Sequence, residues 1–167
     1  MAATFLRTML PSPATIRSYK PDDLAAVIRL LADLNPWKRL NYNASDWDRL
    51  FEMPMQGREA FVMEAGGSVV GVAVLRQRFL FGDYLELFAI AVSVQGRGYG
   101  RALLAHLERV VFHRAKNLFV SVSDFNHQAR RFYERNGYTE IGPILHLLIP
   151  GSAEILLRKT IGPAKSG

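Results

Sequence analysis

Between Val92 and Leu104 the chain reads VSVQGRGYGRALL, and this stretch dictates more of the architecture than any other. The run before it, YLELFAIAV (Tyr84 to Val92), has the apolar, β-branched and aromatic character of a strand. The run after it sets Leu103, Leu107, Val110, Val111 and Arg114 along one side, which is helical spacing. A strand that enters a glycine loop and then a helix gathers unpaired backbone N–H groups at one point. The positive end of the helix dipole falls at the same point, and together they make an anion site suited to phosphate. Glycine admits a ligand closely and accepts positive φ, and Arg97 and Arg101 flank the loop with charge. The competing reading is a tight turn with no ligand. The loop is neither of the common nucleotide motifs. A Walker loop needs Gly-Lys-Ser/Thr, and here Arg101 and Ala102 follow Gly100. A dinucleotide fingerprint opens a βαβ unit, whereas this loop sits mid-chain behind a hairpin.

The remaining elements alternate. ATIRSY (Ala14 to Tyr19) reads as a short strand. Pro21, Asp22 and Asp23 open a helix with Leu24, Val27, Ile28, Leu31 and Leu34 on one face, stopped by Pro36. A shorter helix is expected from Ser45, as its cap, to Phe51. EAFVMEA and SVVGVAVLRQRF form a hairpin about Gly66-Gly67. LFVSVS is a strand, and NHQARRFYERNGY is a helix capped by Asn126 and ended by Gly137. YTEIGPILHLLI and AEILLRKT close the chain as strands around Pro150-Gly151. The pattern predicts a single mixed α/β domain over residues 14–160, with a flexible tail at 1–13 and another at 161–167.

Composition removes several function classes. The 167 residues contain no cysteine, which excludes disulfides, thiolate metal sites and a cysteine nucleophile. The four histidines, His106, His113, His127 and His146, lack metal-like spacing, so no metal is expected. No apolar run approaches the roughly 18 residues of a membrane helix, and the N-terminus lacks the features of a signal peptide. Cytoplasm is the default compartment, with no membrane partner. The net charge of +6 favours an anionic ligand. The basic residues are scattered, however, without the basic-aromatic stripe or recognition helix of a nucleic-acid binder.

Gln95-Gly96-Arg97-Gly98-Tyr99-Gly100 resembles Q/R-x-x-G-x-G/A, the acyl-CoA pyrophosphate loop of the GNAT superfamily of N-acyltransferases. NHQARRFYERNGY resembles that family's second signature, a helix that begins with Asn and carries Tyr before a Gly-Tyr/Phe end. The order of elements is also similar, from about Ala14 to Thr160. The resemblance implies a central, mostly antiparallel twisted sheet with a splayed parallel strand pair and about four flanking helices. It implies acetyl-CoA as co-substrate, a primary amine as acceptor and direct attack in a ternary complex, and it allows a homodimer. By position, the backbone of Phe88, Ala89 and Ile90 would pair with the pantetheine amides, and the loop from Gln95 through Gly96 to Arg101 would cradle the pyrophosphate. Asn126 would reach the pantetheine arm and Tyr133 would stand near sulfur as general acid. Seven residues are almost two helical turns, so Asn126 and Tyr133 share a face roughly 10 Å apart. With Ala129 and Phe132, Tyr133 equally forms a core stripe.

The base is open between two readings. Glu86, two residues before Phe88, is the best carboxylate by position for deprotonating the amine. Alternatively it orients substrate or lies at the surface while water moves the proton. Some family members carry an acid two residues earlier, where this chain has Tyr84, and many have proline where it has Val92. Trp37 and Trp47 bracket KRLNYNASD, either as a wall of the acceptor cleft or as packing residues. A non-catalytic acyl-CoA sensor is the alternative to an enzyme, and the presence of Tyr133 argues against it. Nothing in the sequence codes the acceptor or the acyl chain length.

Overall fold

A computed structural model describes residues 13–53 and 55–165. The tail expected over 1–13 therefore lies, apart from Pro13, outside the described residues, as do Ser166 and Gly167. The strands are β1 (Ala14–Ser18), β2 (Arg58–Ala65), β3 (Ser68–Phe79), β4 (Gly82–Ile90), β5 (Asn117–Ser123), β6 (Thr139–Leu145) and β7 (Ala153–Thr160). The helices are α1 (Leu24–Ala32), α2 (Ala44–Leu50), α3 (Tyr99–Arg114) and α4 (His127–Arg135), with 3-10 turns at Pro21–Asp23 and Val92–Val94. One seven-stranded sheet runs β1-β2-β3-β4-β5-β7-β6. Every neighbouring pair is antiparallel except β4–β5, which is parallel.

Local chemistry accounts for most boundaries. Gly66 and Gly67 take φ of +58° and +76°, the values a two-residue hairpin turn requires. Asp23 accepts the Lys20 N–H at 2.7 Å and both Arg17 guanidinium nitrogens at 2.8 Å, fixing the entry to α1 against β1. α2 is capped by Asn43 rather than Ser45. Asn43 is extended (φ −123°, ψ 176°), its Oδ1 accepts the Ser45 N–H at 2.9 Å, and Asp46 reaches back to its N–H at 2.9 Å. The run expected as a strand to Ile149 stops at Leu145, because His146 adopts φ +56° and its Nδ1 accepts the Gly151 N–H at 3.0 Å.

The sheet buries a layer on each face. Leu75, Leu85, Leu118, Val120 and Leu157 pack under Leu103, Leu107 and Val111 of α3. On the opposite face Val62, Val72, Val74 and Leu87 meet Val27 and Leu31 of α1 and Trp47 of α2. Each fully buried aliphatic side chain in these layers stabilises the fold by about 1.5–3 kcal/mol.

The parallel pair is the part that shapes the site. β4 and β5 pair only at Asp83–Leu118, Tyr84–Phe119 and Leu85–Val120. Beyond that, β4 stays with β3 as far as Ile90 and β5 stays with β7 as far as Ser123, so the two strands part. At the closed end Gly82 is required, since a Cβ there would stand 2.2 Å from the Asn117 carbonyl oxygen. At the point of divergence Val74 pairs with Leu87 but Leu75 with Leu85, which leaves Glu86 as the extra residue of a β-bulge. A bulge bends and twists its strand locally, and here it turns β4 away from β5.

Candidate active site

The diverging strands open a cleft of about 740 Å³. At one end β4 leads into the glycine loop. Gln95 Nε2 donates to the Ile90 carbonyl at 3.0 Å, tying the loop to the strand end. Gly96 and Gly98 take φ of +75° and +88°, which L side chains rarely adopt. Gly98 is the N-cap residue of α3, and no side chain caps that end. The first turn closes with Ala102 N–H to Gly98 O at 3.1 Å. The initial N–H groups of a helix have no intrahelical acceptor, so this end attracts an anion. At Gly100 a Cβ would sit 3.5 Å from the Phe132 ring, an ordinary contact. Packing therefore does not demand that glycine, and its lack of a side chain leaves room in the cleft wall. Gln95, Gly96, Gly98, Gly100 and Arg101 line the cleft. Arg97 is exposed on the loop outside the lining, and Tyr99, the first residue of α3, is 3% exposed with its side chain in the core.

The cleft floor comes from β4 and α4. Phe88, Ala89 and Ile90 face it along the stretch where β4 has no β5 partner. Asn126 caps α4, its Oδ1 accepting the Ala129 N–H at 3.2 Å, and it lines the cleft. Tyr133 lines the cleft and is 4% exposed. Its ring lies 6.1 Å from Phe88 and 5.3 Å from Tyr138, and Phe88 stacks on Phe132 at 5.7 Å. It is thus both part of a core stripe and part of the cleft wall. Burial, with the nearby Tyr84 adding to it, pushes its phenol far above the usual range, so it stays protonated and able to donate.

The other end is assembled from side chains. Glu86 is held by Arg58 Nε at 2.8 Å, Arg58 Nη2 at 3.2 Å and Arg76 Nη2 at 2.7 Å. Burial raises its pKa, but the hydrogen bonds and charges of the two arginines outweigh that and hold it below the usual carboxylate value. Such a group is anionic and accepts a proton poorly at neutral pH. Tyr84, on the closed side of the bulge, shares a 2.7 Å hydrogen bond with Ser121. Trp37 and Tyr42 line the cleft, packed on the buried Trp47 at 5.7 and 5.0 Å, so one tryptophan is wall and the other core. Arg39 lies 4.0 Å above the Phe125 ring and joins the α1–α2 segment to the β5–α4 loop. A residue missed from the sequence is Glu154 of β7, which also lines the cleft and accepts from Ser123 Oγ at 2.7 Å. Its one signal was a lone carboxylate inside the apolar run AEILL.

The splayed parallel pair leads into an uncapped helix start behind a glycine loop, and a buried tyrosine stands in the same cleft wall. The chain belongs to the acetyltransferase (GNAT) family, whose pattern it matches over residues 24–138. A 5-NmdU N-acetyltransferase of Pseudomonas phage PaMx11 is 31% identical over 85 residues, which is 50% of this chain and 59% of that relative. The chain thus spans about three-fifths of the length of that curated relative. The ribosomal-protein-S18-alanine N-acetyltransferase from Escherichia coli superposes with a TM-score of 0.76 at 21% identity, over 93% of this chain and 98% of the other. Spermidine N-acetyltransferase from Vibrio cholerae, in complex with CoA and spermine, gives 0.73 at 17% identity, over 88% and 95%. The expected fold is therefore the observed one. Among the described residues no helix is long and apolar enough to cross a membrane.

Proposed function

We propose that residues 14–160 form one N-acetyltransferase domain that transfers the acetyl group of acetyl-CoA to a primary amine, with both substrates bound together. The observation that carries this reading is the single continuous cleft, which runs from the uncapped start of α3 to Trp37 and Glu154. Two ligands can meet there end to end, and the chain has no cysteine to carry a thioester intermediate.

Acetyl-CoA supplies an activated acyl carbon and a sulfur leaving group. The backbone of Gly96, Gly98 and Gly100, with Arg101 and the α3 dipole, holds the pyrophosphate. Arg97 adds charge at the rim. Tyr99 anchors the loop through its buried ring, and Gln95 ties it to β4. On the side of β4 that β5 leaves, the backbone over Phe88, Ala89 and Ile90 hydrogen-bonds the pantetheine amides as a missing strand would. Asn126 reaches the same arm, and Tyr133 protonates the departing sulfur. Glu86, fixed by Arg58 and Arg76, orients the incoming amine electrostatically rather than removing its proton.

The family neighbours act on acceptors as different as 5-NmdU, a ribosomal protein alanine and spermidine, so likeness alone selects none. The reading is tested by acetyl-CoA titration followed by an amine panel with detection of free thiol. Binding should stabilise the fold by about 2.7 kcal/mol at a hundredfold excess over Kd, and at least one amine should release thiol. Binding without turnover on any amine would replace the enzyme with an acyl-CoA sensor.

A further inference from the structure

The acceptor half of the cleft contains a carboxylate with no role in the scheme above. Glu154 on β7 stands opposite Ser123 on β5, and the two are 6% and 1% exposed. Ser123 Oγ donates to Oε1. Oε2 has no hydrogen-bond partner among the described residues. It is not among the buried orphaned side-chain atoms of the described residues, which are Glu108 Oε1 and Tyr138 Oη, and Glu154 lines the cleft. Among the described residues no lysine, arginine or histidine forms an ion pair with it. The charged and titratable groups around it are Asp124 on the neighbouring loop and Tyr84 and Tyr42 across the cleft, both of which also feel Glu86. A buried carboxylate without a cation is costly, and an ammonium in the cleft would relieve it. Burial, only partly offset by Ser123 and reinforced by Asp124, raises its pKa above the ordinary value.

The same walls limit what carries that ammonium. Trp37, Leu40, Tyr42, Leu147 and Leu148 are flat or apolar. The other cleft carboxylate, Glu86, already faces two guanidinium groups, so a second ammonium would find repulsion there. We propose that Glu154, positioned by Ser123, binds the acceptor ammonium and takes its proton, and that the acceptor is a primary monoamine on a flat or apolar body. This rests on the acetyl-transfer reading. The ammonium gives one proton to Oε2, which frees the nitrogen lone pair. That pair forms the C–N bond while the C–S bond breaks and its electrons leave on sulfur. Tyr133 gives sulfur its phenolic proton and recovers one from the new amide nitrogen. Glu154 then releases its proton to solvent, so the products are amide, thiol and one proton.

The test uses benzylamine and spermidine as probes on wild type, Glu154→Gln and Ser123→Ala. Without acetyl-CoA, calorimetry should find benzylamine bound by wild type and at least tenfold weaker binding by Glu154→Gln. With acetyl-CoA, Glu154→Gln should lose about 10²- to 10⁴-fold in kcat on benzylamine with acetyl-CoA affinity unchanged. Ser123→Ala removes the hydrogen bond that lowers the Glu154 pKa, so the acid limb of its pH–rate profile should move to higher pH. A merely structural Glu154 predicts instead that Glu154→Gln melts lower. Relief of a buried charge predicts equal or higher Tm at neutral pH, with the difference vanishing in acid. Wild-type turnover in Glu154→Gln overturns the base and leaves acetyl transfer standing. A higher kcat/KM for spermidine than for benzylamine overturns the substrate class. If acetyl-CoA binds but no amine reacts, the transfer reading itself falls, and the calorimetric arm still decides whether Glu154 binds an ammonium.

Discussion

The two ends of the cleft are built from different material. At the glycine loop the groups we propose to work are backbone: the uncapped start of α3, the left-handed Gly96 and Gly98, and the length of β4 that β5 leaves unpaired. At the proposed acceptor end they are side chains, Glu86 with Arg58 and Arg76, Glu154 with Ser123, and the rings of Trp37 and Tyr42. A backbone site recognises what all its ligands share, and any side chain placed in it is an obstruction. A side-chain site recognises what differs between ligands and can be rewritten one residue at a time. The cofactor end should therefore fail abruptly on substitution, whereas the acceptor end should be retuned by degrees.

The largest expected effect is at the loop. Gly98→Glu puts a negative side chain where the phosphates would sit, and acetyl-CoA should no longer raise the Tm. Holding a non-glycine at φ +88° adds roughly 1–2 kcal/mol of strain, so the ligand-free variant should melt a few degrees lower but still unfold cooperatively. Unchanged affinity in such a folded variant would remove the loop from the binding site. Next is Tyr133→Phe, which keeps the ring packing and removes the donor. Turnover should fall about 10²- to 10³-fold, the lower half of the general-acid range because a thiol is already a fair leaving group. Tm and cofactor affinity should stay level, and unaffected turnover would make Tyr133 a packing residue only.

A third prediction breaks the closed end of the β4–β5 pair, away from both ends of the cleft. Gly82→Ala drives a Cβ into the Asn117 carbonyl and should destabilise the fold by about 1–3 kcal/mol, read as a lower denaturation midpoint. The smallest effect is at the acceptor end. Arg76→Met takes one cation from Glu86, a pair whose arginine side chain is 44% exposed, so about 1.5- to 5-fold is at stake. Glu86 then carries charge available to a second ammonium, and kcat/KM for spermidine should rise by that factor relative to benzylamine. A fall would mean that Arg76 itself contacts the acceptor.

This division also explains what could be read in advance. The glycine loop and the Asn126–Tyr133 helix were legible as structure because they are local: strand, turn chemistry, cap and helix are contiguous in sequence. The family resemblance added the splay of β4 from β5, which no propensity reports. Glu86 was visible as a carboxylate on the strand before the loop, but its arginines come from β2 and β3, and only the register of the sheet brings them to it. Glu154 was passed over because its partner Ser123 is remote in the chain and becomes its neighbour only when β5 pairs with β7. The smaller misses are of the same kind. Asn43 and Ser45 are both good caps, and extended backbone at Asn43 decided between them. The end of β6 turned on one left-handed residue, His146, in an otherwise apolar run.

A sheet ordinarily shows unpaired backbone only along its two margins, here β1 and β6. By parting after Leu85 and Val120, β4 and β5 create a further margin in the middle of the sheet. Margins of this kind invite another strand and are a source of aggregation. Here the seam is short, and Phe88 and Tyr133 line the cleft it opens, which on the proposed reading takes a thin amide-bearing arm. In the ligand-free protein the amides of β4 that face the seam should exchange with solvent ahead of those paired to β3, which hydrogen exchange would read. A bound pantetheine arm would seal them, making the substrate a temporary strand and its departure the moment at which the centre of the sheet is most open to wrong partners.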